Sequence, residues 1–202
     1  MKKLLASLAI VLSVVSFANA QKIAFKGGFT YSDAIMSPEP VDIIDGKAGF
    51  HAGIVLQDLM LSDKIGIQPE LIYSQQGFKI GSVGSIGMHY LSLPILLKFP
   101  VTEELSLLAG PQVSYLTNTK IGIGNGFFSV NYNGLFKDID LGLAGGLEYK
   151  VSDKVALGGR YVLGLTNVNK DFQIDNNNNL SDYLSIKNTS AQVYVSFSFG
   201  KN

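Results

Sequence analysis

The chain has 202 residues, of which 47% are hydrophobic and only 16% are charged, and its 16 basic and 16 acidic residues leave no net charge. This length fits a single all-β domain, and the balanced charge gives no reason to expect a nucleic-acid partner. The absence of cysteine excludes disulfides and cysteine-ligated zinc sites. The low charge and the 22 glycines both depart from the composition of typical soluble domains and need an explanation.

The first twenty residues contain the three parts of a secretory signal peptide. Lys2 and Lys3 form a basic start, residues 4–17 form an apolar run, and residues 18–20 (Ala-Asn-Ala) match a cleavage site. The apolar run is shorter than the roughly 20 residues that a membrane-spanning helix needs. The sequence therefore predicts a cleaved signal peptide over residues 1–20 and one exported domain over residues 21–202.

Eight segments alternate between hydrophobic residues and small or polar residues with the period of two that an extended strand shows. They are residues 22–31, 47–57, 65–77, 88–99, 105–117, 136–150, 154–166 and 191–199. The third segment is the clearest, because Ile65, Ile67, Leu71 and Tyr73 share one face while Glu70 lies on the other. The sequence predicts eight antiparallel strands, each with one hydrophobic face.

The connections between these segments alternate in length. Three are short: residues 58–63, 100–103 and 151–153. The four long ones are rich in Gly, Ser, Asn and Asp and cover residues 32–46, 77–87, 118–135 and 167–187. Short turns at one end and long loops at the other are typical of up-and-down transmembrane β-barrels.

The second face of each strand indicates which solvent surrounds the barrel. It consists mostly of Gly, Ala, Ser and Gln, whereas the exposed face of a soluble barrel would carry many charges. Small residues suit the crowded interior of an eight-stranded barrel, which side chains can fill. The sequence therefore predicts lipid against the hydrophobic face and a packed polar lumen.

Six charged residues fall on the predicted lumen face, three of each sign. They are Lys26, Glu70, Lys98, Asp140, Glu148 and Arg160. Their positions along the strands place Lys26, Glu70 and Arg160 at mid-depth and Lys98 with Glu148 near the periplasmic end. Because unpaired buried charges are costly, we expect a neutralising network of ion pairs there.

Aromatic residues on the hydrophobic face cluster at the two ends of the strands. Phe25, Phe99, Tyr149 and Phe199 are expected near the periplasmic interface, and Tyr31, Phe50, Tyr73 and Tyr115 near the outer one. Membrane barrels carry such aromatic girdles at both interfaces.

Three prolines fall inside predicted strands, at Pro69, Pro94 and Pro111. A closed barrel has no free edge where the missing N–H is harmless. The prolines therefore predict bulges or breaks, and a bulge would shift the register beyond it by one residue.

Several motifs resemble those of the PorT-like family of small outer-membrane β-barrel proteins, often called porin family. They are KGG at 26–28, IQPELIYSQQG at 67–77, YLSLPILLK at 90–98, AGPQVSYL at 109–116, DLGLAGGLEY at 140–149 and GGRYVLGL at 158–165. The resemblance covers essentially the whole mature chain and includes the three prolines. It implies an outer-membrane barrel and carries over no catalytic residues.

Residues able to support catalysis do not form a recognisable set. Asp138 and Asp140 share a face at a spacing of two, and we interpret them as a charge pair in the lumen or at its rim. His51 falls on the lumen face and His89 on the hydrophobic face, and no catalytic triad or paired-histidine metal spacing joins them. The sequence predicts no enzyme activity, no cofactor and no metal site.

The resulting hypothesis is an eight-stranded antiparallel barrel in the outer membrane of a Gram-negative-type bacterium, with a structural, adhesive or complex-forming role. Its expected partners are outer-membrane lipid and envelope proteins that contact loops 32–46, 118–135 and 167–187, with no nucleic acid. One alternative is a narrow channel for small solutes or ions. A soluble exported ligand carrier of the lipocalin type is a second alternative, against which the sparse charges argue.

Overall fold

The computed structural model describes residues 22–37, 44–57, 59–62, 64–81, 84–123, 128–131, 136–170, 173–175, 178–179 and 185–199. The predicted signal peptide over residues 1–20 lies outside these ranges. All of the regular structure in the described ranges is β-strand. Within them, no helix has the length and hydrophobicity needed to cross a membrane.

Eight long strands form the wall of an antiparallel barrel. They are β1 (Lys22–Ser37), β2 (Ile44–Gln57), β4 (Ile65–Ile80), β5 (Gly84–Pro100), β6 (Leu105–Ile123), β8 (Ile139–Lys150), β9 (Val155–Gly164) and β12 (Ser185–Phe199). Four short strands accompany them: β3 (Leu59–Ser62), β7 (Phe128–Asn131), β10 (Gln173–Asp175) and β11 (Asn178–Asn179). The long strands pair in the order β2-β1-β12-β9-β8-β6-β5-β4, and β2 pairs with β4 to close the ring. The predicted eight-stranded up-and-down barrel is confirmed.

The predicted faces are also confirmed. On β4, Leu71 is 39% exposed on the outside of the barrel, whereas Glu70 beside it is only 2% exposed. Leu108 and Leu116, which interrupt the alternation in the sequence, point into the interior and are buried. Hydrophobic side chains thus cover the outside of the wall, and the small and polar face lines the lumen.

The tight turns define one end of the barrel, which we call the turn end. In the turn after β5, the Val101 N–H donates to the Leu105 carbonyl at 2.8 Å, and the Val151 N–H donates to the Val155 carbonyl at 2.9 Å after β8. The opposite end, where the predicted long loops lie, is the outer end.

The predicted long loops are partly wrong, because the strands continue well into them. β1 extends to Ser37, and β6 extends to Ile123 and pairs with β7. The largest difference is at residues 77–87, where β4 and β5 remain paired up to Ile80 and Gly84. Gly81 follows β4 with φ of 50°, a left-handed conformation that glycine adopts readily.

Aromatic side chains cover both ends of the hydrophobic band. At the turn end, Phe25 packs edge-on against Phe199 with ring centroids 5.4 Å apart, and Tyr149 is exposed. Towards the outer end, the rings of Phe50 and Tyr73 lie 6.2 Å apart, and Tyr31 and Tyr115 are exposed on the same outside surface.

The prolines interrupt the ladders, which confirms the breaks among the predicted bulges or breaks. The register is kept along β5, but across Pro69 it shifts by one residue on the other side, from Val55 opposite Glu70 to Leu59 opposite Ile67. Pro69 still faces Ile95, and the same register resumes at Ile72 with Ser92. Each proline lacks a pairing partner on only one of its two neighbouring strands. This is expected because proline has no N–H to donate to that strand. Pro94 keeps its partner Gln112 on β6, and Pro111 keeps its partner Leu143 on β8.

Other register shifts lie away from the prolines. They fall between His89 and Tyr90 in the β5–β6 ladder, between Gly46 and His51 in the β2–β4 ladder, between Met60 and Ser62 in the β3–β4 ladder, and between Gln173 and Asp175 in the β10–β11 ladder.

Candidate functional site in the barrel interior

Glu70 on β4 is the centre of a buried set of charges. Lys26 on β1 donates from Nζ to Glu70 Oε1 at 2.5 Å, and Arg160 on β9 donates from Nη1 to Oε2 at 2.6 Å. None of the three side chains is more than 1% exposed. Arg160 also donates from Nε to Gln192 Oε1 at 2.6 Å, and Gln68 donates to Glu70 Oε1 at 2.9 Å. Both oxygens of Glu70 are therefore satisfied by charged or polar donors.

A second ion pair lies nearer the turn end and is connected to the first. Lys98 donates to Glu148 Oε1 at 2.8 Å, and Lys26 lies 4.0 Å from Glu148 Oε2. Tyr194 on β12 donates its hydroxyl hydrogen to Glu148 Oε2 at 3.2 Å, and the Lys26 ammonium lies 3.9 Å from the centre of the Tyr194 ring. Such a cation–ring contact adds electrostatic attraction to the ion pairs. We call Lys26, Glu70, Lys98, Glu148 and Arg160 the ion network.

Asp140, the sixth charged residue predicted in the lumen, lies outside the ion network. Its carboxylate accepts hydrogen bonds from Thr166 Oγ1 at 2.8 Å and from Asn188 Nδ2 at 3.2 Å. Asn188 also donates to the Tyr90 hydroxyl at 2.9 Å. The suggested pairing with Asp138 is wrong, since Asp138 precedes β8 and is exposed while Asp140 is buried.

Glycines on the lumen face make room for the ring of Tyr194. A Cβ added at Gly158 would lie 2.2 Å from a ring carbon of Tyr194, and one added at Gly28 would lie 2.9 Å from the Tyr194 Cβ. The high glycine content is thus explained in part by the need to fit long side chains into a narrow barrel. Tyr194 was not among the predicted site residues. A large aromatic residue on the same strand face as the serines of the last strand was the signal that could have identified it.

The outer end of the interior is apolar, which differs from the polar lumen predicted. Seven buried side chains from β4, β5, β6, β12 and the segments beside β8 and β9 pack together there. They are Phe78, Met88, Tyr90, Leu116, Phe136, Val168 and Ile186, and we call them the outer cluster. Four partly buried residues pack against it: Ala34, Met36, Ile80 and Ile86. The signal in the sequence was the continued alternation of Phe78 and Ile80, which was assigned to a loop.

The outward residues on the β4 and β6 extensions are polar, whereas the outward Ile35 on the β1 extension is 47% exposed. Lys79 on β4 is exposed between the inward Phe78 and Ile80, and Lys120 on β6 is exposed beside the buried Thr119. The polarity of the two faces of β4 and β6 therefore reverses beyond the outer aromatic girdle. This reversed pattern is that of a barrel surrounded by water.

Little space remains inside the barrel. At the turn end, a cavity of about 260 Å³ is lined by Lys22, Gln57, Lys98, Glu104, Glu148 and Ser198. Further in, the gap beside Gln112 and Asp140 is about 10 Å³, at the lower limit for one water molecule. Lys98 and Glu148 of the ion network line this cavity, whereas Lys26, Glu70, Arg160 and Tyr194 do not.

The two histidines are held on opposite faces of the wall. His51 is buried in the lumen with Nδ1 2.9 Å from Thr30 Oγ1, and His89 lies on the outside with Nδ1 2.5 Å from the Tyr73 hydroxyl. Over the described ranges, no group of three or more metal-ligating His, Cys, Asp or Glu side chains occurs.

A closed ring of eight antiparallel strands with a hydrophobic outside and a charged, packed interior defines an integral membrane β-barrel. The family described as "Outer membrane protein beta-barrel domain" matches residues 17–170. The chain belongs to this family and is an integral outer-membrane protein of the Gram-negative type.

Solved structures support the same fold. Neisserial surface protein A is 13% identical with a TM-score of 0.60, and the match covers 88% of this chain and 97% of that one. Ail, the attachment invasion locus protein of Yersinia pestis, solved with the heparin analogue sucrose octasulfate, is 14% identical with a TM-score of 0.50, covering 89% of this chain and 99% of Ail. At these identities the likeness concerns the fold alone. No curated protein sequence is significantly similar to the chain.

Proposed function

We propose that this protein is a sealed outer-membrane barrel that acts through its outer end, as an adhesive or complex-forming surface protein. The observation that carries this proposal is the reversal of polarity along β4 and β5. Side chains that face outwards are hydrophobic up to the girdle and polar beyond it, which is expected for strands that continue from lipid into water. The barrel thereby supports its outer loops on a rigid, water-exposed rim.

The packing of the interior favours this role over that of a channel. An ion crossing the barrel would have to pass Tyr194, the ion network and then the outer cluster, which contains Phe78 and Met88. Apolar constrictions oppose the passage of ions because they exclude water. A catalytic role has no support in the described residues, since His51 and His89 lie on opposite faces of the wall.

We propose that envelope partners bind through loops 32–46, 118–135 and 167–187. Parts of these ranges form strands that continue beyond the girdle. Polar loops presented at a distance from the lipid surface can reach partners on another protein or on another cell. Because the fold relative Ail was solved with a heparin analogue, a sulfated glycan is a reasonable first ligand to test.

We also propose the finer assignment to the PorT-like family and the removal of residues 1–20 on export. The first rests on the motifs at 67–77, 90–98 and 140–149, and the second on the Ala-Asn-Ala site at residues 18–20. Mass spectrometry of the protein purified from outer membranes tests the cleavage, which predicts Gln21 as the new N-terminus.

Conductance in planar lipid bilayers tests the sealed barrel. We expect no stepwise current after insertion of folded protein, with folding verified by the shift in gel mobility between heated and unheated samples. Reproducible single-channel steps from the folded fraction would favour the channel and overturn the proposal.

A pull-down from cells tests the role of the loops. An affinity tag inserted near Asn177 should recover a crosslinked envelope partner, and replacement of residues 124–127 by a Gly-Ser segment should reduce recovery or ligand adhesion. Unchanged recovery and adhesion after replacement of residues 38–43, 124–127 and 180–184 together would contradict a loop-based function.

A further inference from the structure

Three lysines from three different strands lie close together near the outer end of the barrel. Lys79 is exposed on β4, Lys120 is exposed on β6, and Lys47 is half-buried on β2. The charges of Lys79 and Lys120 both act on Lys47. We call these three residues the lysine patch.

The surroundings of Gly87 place the ammonium group of Lys47 on the outside of the wall. Met88 points into the outer cluster, so strand alternation directs the neighbouring Gly87 outwards. A Cβ added to Gly87 would lie 3.1 Å from Lys47 Nζ and 3.9 Å from Lys120 Cβ. Gly87 pairs with Lys120 on β6 and with Gly77 on β4. Because neither glycine has a side chain, the backbone beneath the Lys47 ammonium is not covered by these two residues.

Among the described residues, the positive charge of the lysine patch is not neutralised. Within the ranges that the structure describes, no ion pair joins Lys47, Lys79 or Lys120 to a carboxylate. Asp45 is exposed and lies opposite Lys79 in the β2–β4 ladder, and one carboxylate leaves three lysines with a net positive charge. His89 also lies within the field of Lys47 and Lys120. Like charges held together repel, so the site favours an anion.

The height of the lysine patch matches the lipid headgroups. The hydroxyl of the girdle residue Tyr73 bonds to His89, and Gly87 lies two residues further out along β5, or about 7 Å of strand. Aromatic girdles mark the interface of a membrane barrel. The lysines therefore lie just beyond the hydrocarbon, where phosphate groups of lipids are found.

We propose that the lysine patch binds the phosphate group of a lipid in the outer leaflet. The wall directly below the patch is apolar, with Leu71 39% and Leu91 38% exposed on the same face. One lipid can therefore place its phosphate among the lysines while its acyl chains cover these leucines. A soluble anion would use only the charged half of this surface, which is why a lipid is the occupant that fits.

Native mass spectrometry of the full folded barrel in detergent tests this proposal. The protein is titrated with phosphatidic acid, whose headgroup is a phosphate, and with phosphatidylcholine, whose phosphate is masked by choline. We expect preferential binding of phosphatidic acid. Substituting Lys47→Gln, Lys79→Gln and Lys120→Gln together should weaken that binding by about tenfold or more, because each lysine near a lipid phosphate contributes appreciably.

A matched control removes the same charge from the opposite wall. Lys137→Gln, Lys170→Gln and Lys187→Gln change three outer-end lysines beside β8, β9 and β12 and should leave phosphatidic acid binding unchanged. Equal losses in the two triple variants, no loss in the first, or no preference for phosphatidic acid would overturn the proposal. Displacement of the lipid by millimolar inorganic phosphate or sucrose octasulfate would also overturn it, because the site would then recognise a soluble anion.

Discussion

In the half of the barrel near the turn end, the interior holds the ion network beside a small apolar cluster of Leu96, Leu108, Ala144 and Val162, and the outside is hydrophobic. At the outer end, the largest buried cluster is apolar, and lysines are exposed on the outside of β4 and β6. Glu70 and Arg160 represent the first region, and Phe78 and Met88 the second. The same strands run through both regions, so the backbone does not account for the difference. The solvent does, because lipid surrounds the first region and water the second.

The comparison shows that the two regions are stabilised by different means. In the membrane region, association of side chains inside the lumen gains little from excluding water, and the buried ion pairs of Glu70 join β4 to β1 and β9. Removing one partner of such a pair leaves an uncompensated buried charge. At the outer end, burial of apolar surface from water stabilises the packing. Substitutions should therefore have distinct effects in the two regions.

Removing the central carboxylate should have the largest effect. Glu70→Gln leaves Lys26 and Arg160 buried without their shared partner, and we expect a loss of about 3–5 kcal/mol in unfolding free energy. Urea unfolding in lipid vesicles measures it. The control Glu103→Gln, in an exposed turn, should change stability by less than about 1 kcal/mol. Equal stabilities of the two variants would show that the ion network is not needed.

Truncating the outer cluster should have the next largest effect. Phe78→Ala removes a buried ring and should cost about 3 kcal/mol in the same unfolding measurement. The same substitution at Phe29, which is 76% exposed on the outside of the barrel, leaves no cavity and should cost much less. If the two variants lost the same stability, the outer cluster would not be packed as described.

Adding one methyl group beside Tyr194 should have a smaller effect. Gly158→Ala places a Cβ 2.2 Å from the Tyr194 ring, and such overpacking should cost about 1–3 kcal/mol. The adjacent Gly159 faces outwards, where a Cβ would meet its nearest atom at 3.7 Å, so Gly159→Ala should be tolerated. Thermal unfolding in vesicles compares the two alanine variants, and a tolerated Gly158→Ala would argue against the close contact.

The exposed ion pair at the turn end should show the smallest effect. Lys150 Nζ lies 2.7 Å from Asp153 Oδ1, and this contact lowers the pKa of Asp153. Lys150→Gln should raise that pKa towards its ordinary value, which NMR titration of the Asp153 carboxyl measures. Any stability from the pair would be present above the unfolded pKa and lost as pH falls through the lowered one. Because both groups are in water, this contribution is small, so Lys150→Gln should lower the unfolding midpoint only slightly at neutral pH and not at all below the lowered pKa.

Much of the membrane region could be predicted from the sequence, because in lipid the hydrophobic face of every strand must point outwards. The alternation around Leu71 and Glu70 gave the correct faces, and the same reasoning brought Lys26, Glu70 and Arg160 to one depth. The outer end could not be predicted in this way, since the rule reverses where lipid gives way to water. Phe78 and Ile80 were read as part of a loop for that reason.

Two further outcomes of the sequence predictions have local physical causes in the structure. Pro94 and Pro111 were expected to cause bulges or breaks, and the structure has breaks: each interrupts pairing on one side, while pairing on the other side keeps the register. Asp140 was expected in the ion network, but Thr166 and Asn188 satisfy its carboxylate near the outer end. Both outcomes depend on neighbours that are distant in the chain.

The central claim, that lipid surrounds the hydrophobic face and water begins beyond the outer girdle, is tested most directly by the accessibility of spin labels. The chain has no cysteine, so Leu71→Cys, Leu143→Cys and Lys79→Cys each accept a single nitroxide in vesicles. Labels at 71 and 143 should collide with dissolved oxygen and be protected from a water-soluble nickel reagent, and the label at 79 should show the reverse. Strong nickel collisions at 71 and 143 would contradict the account.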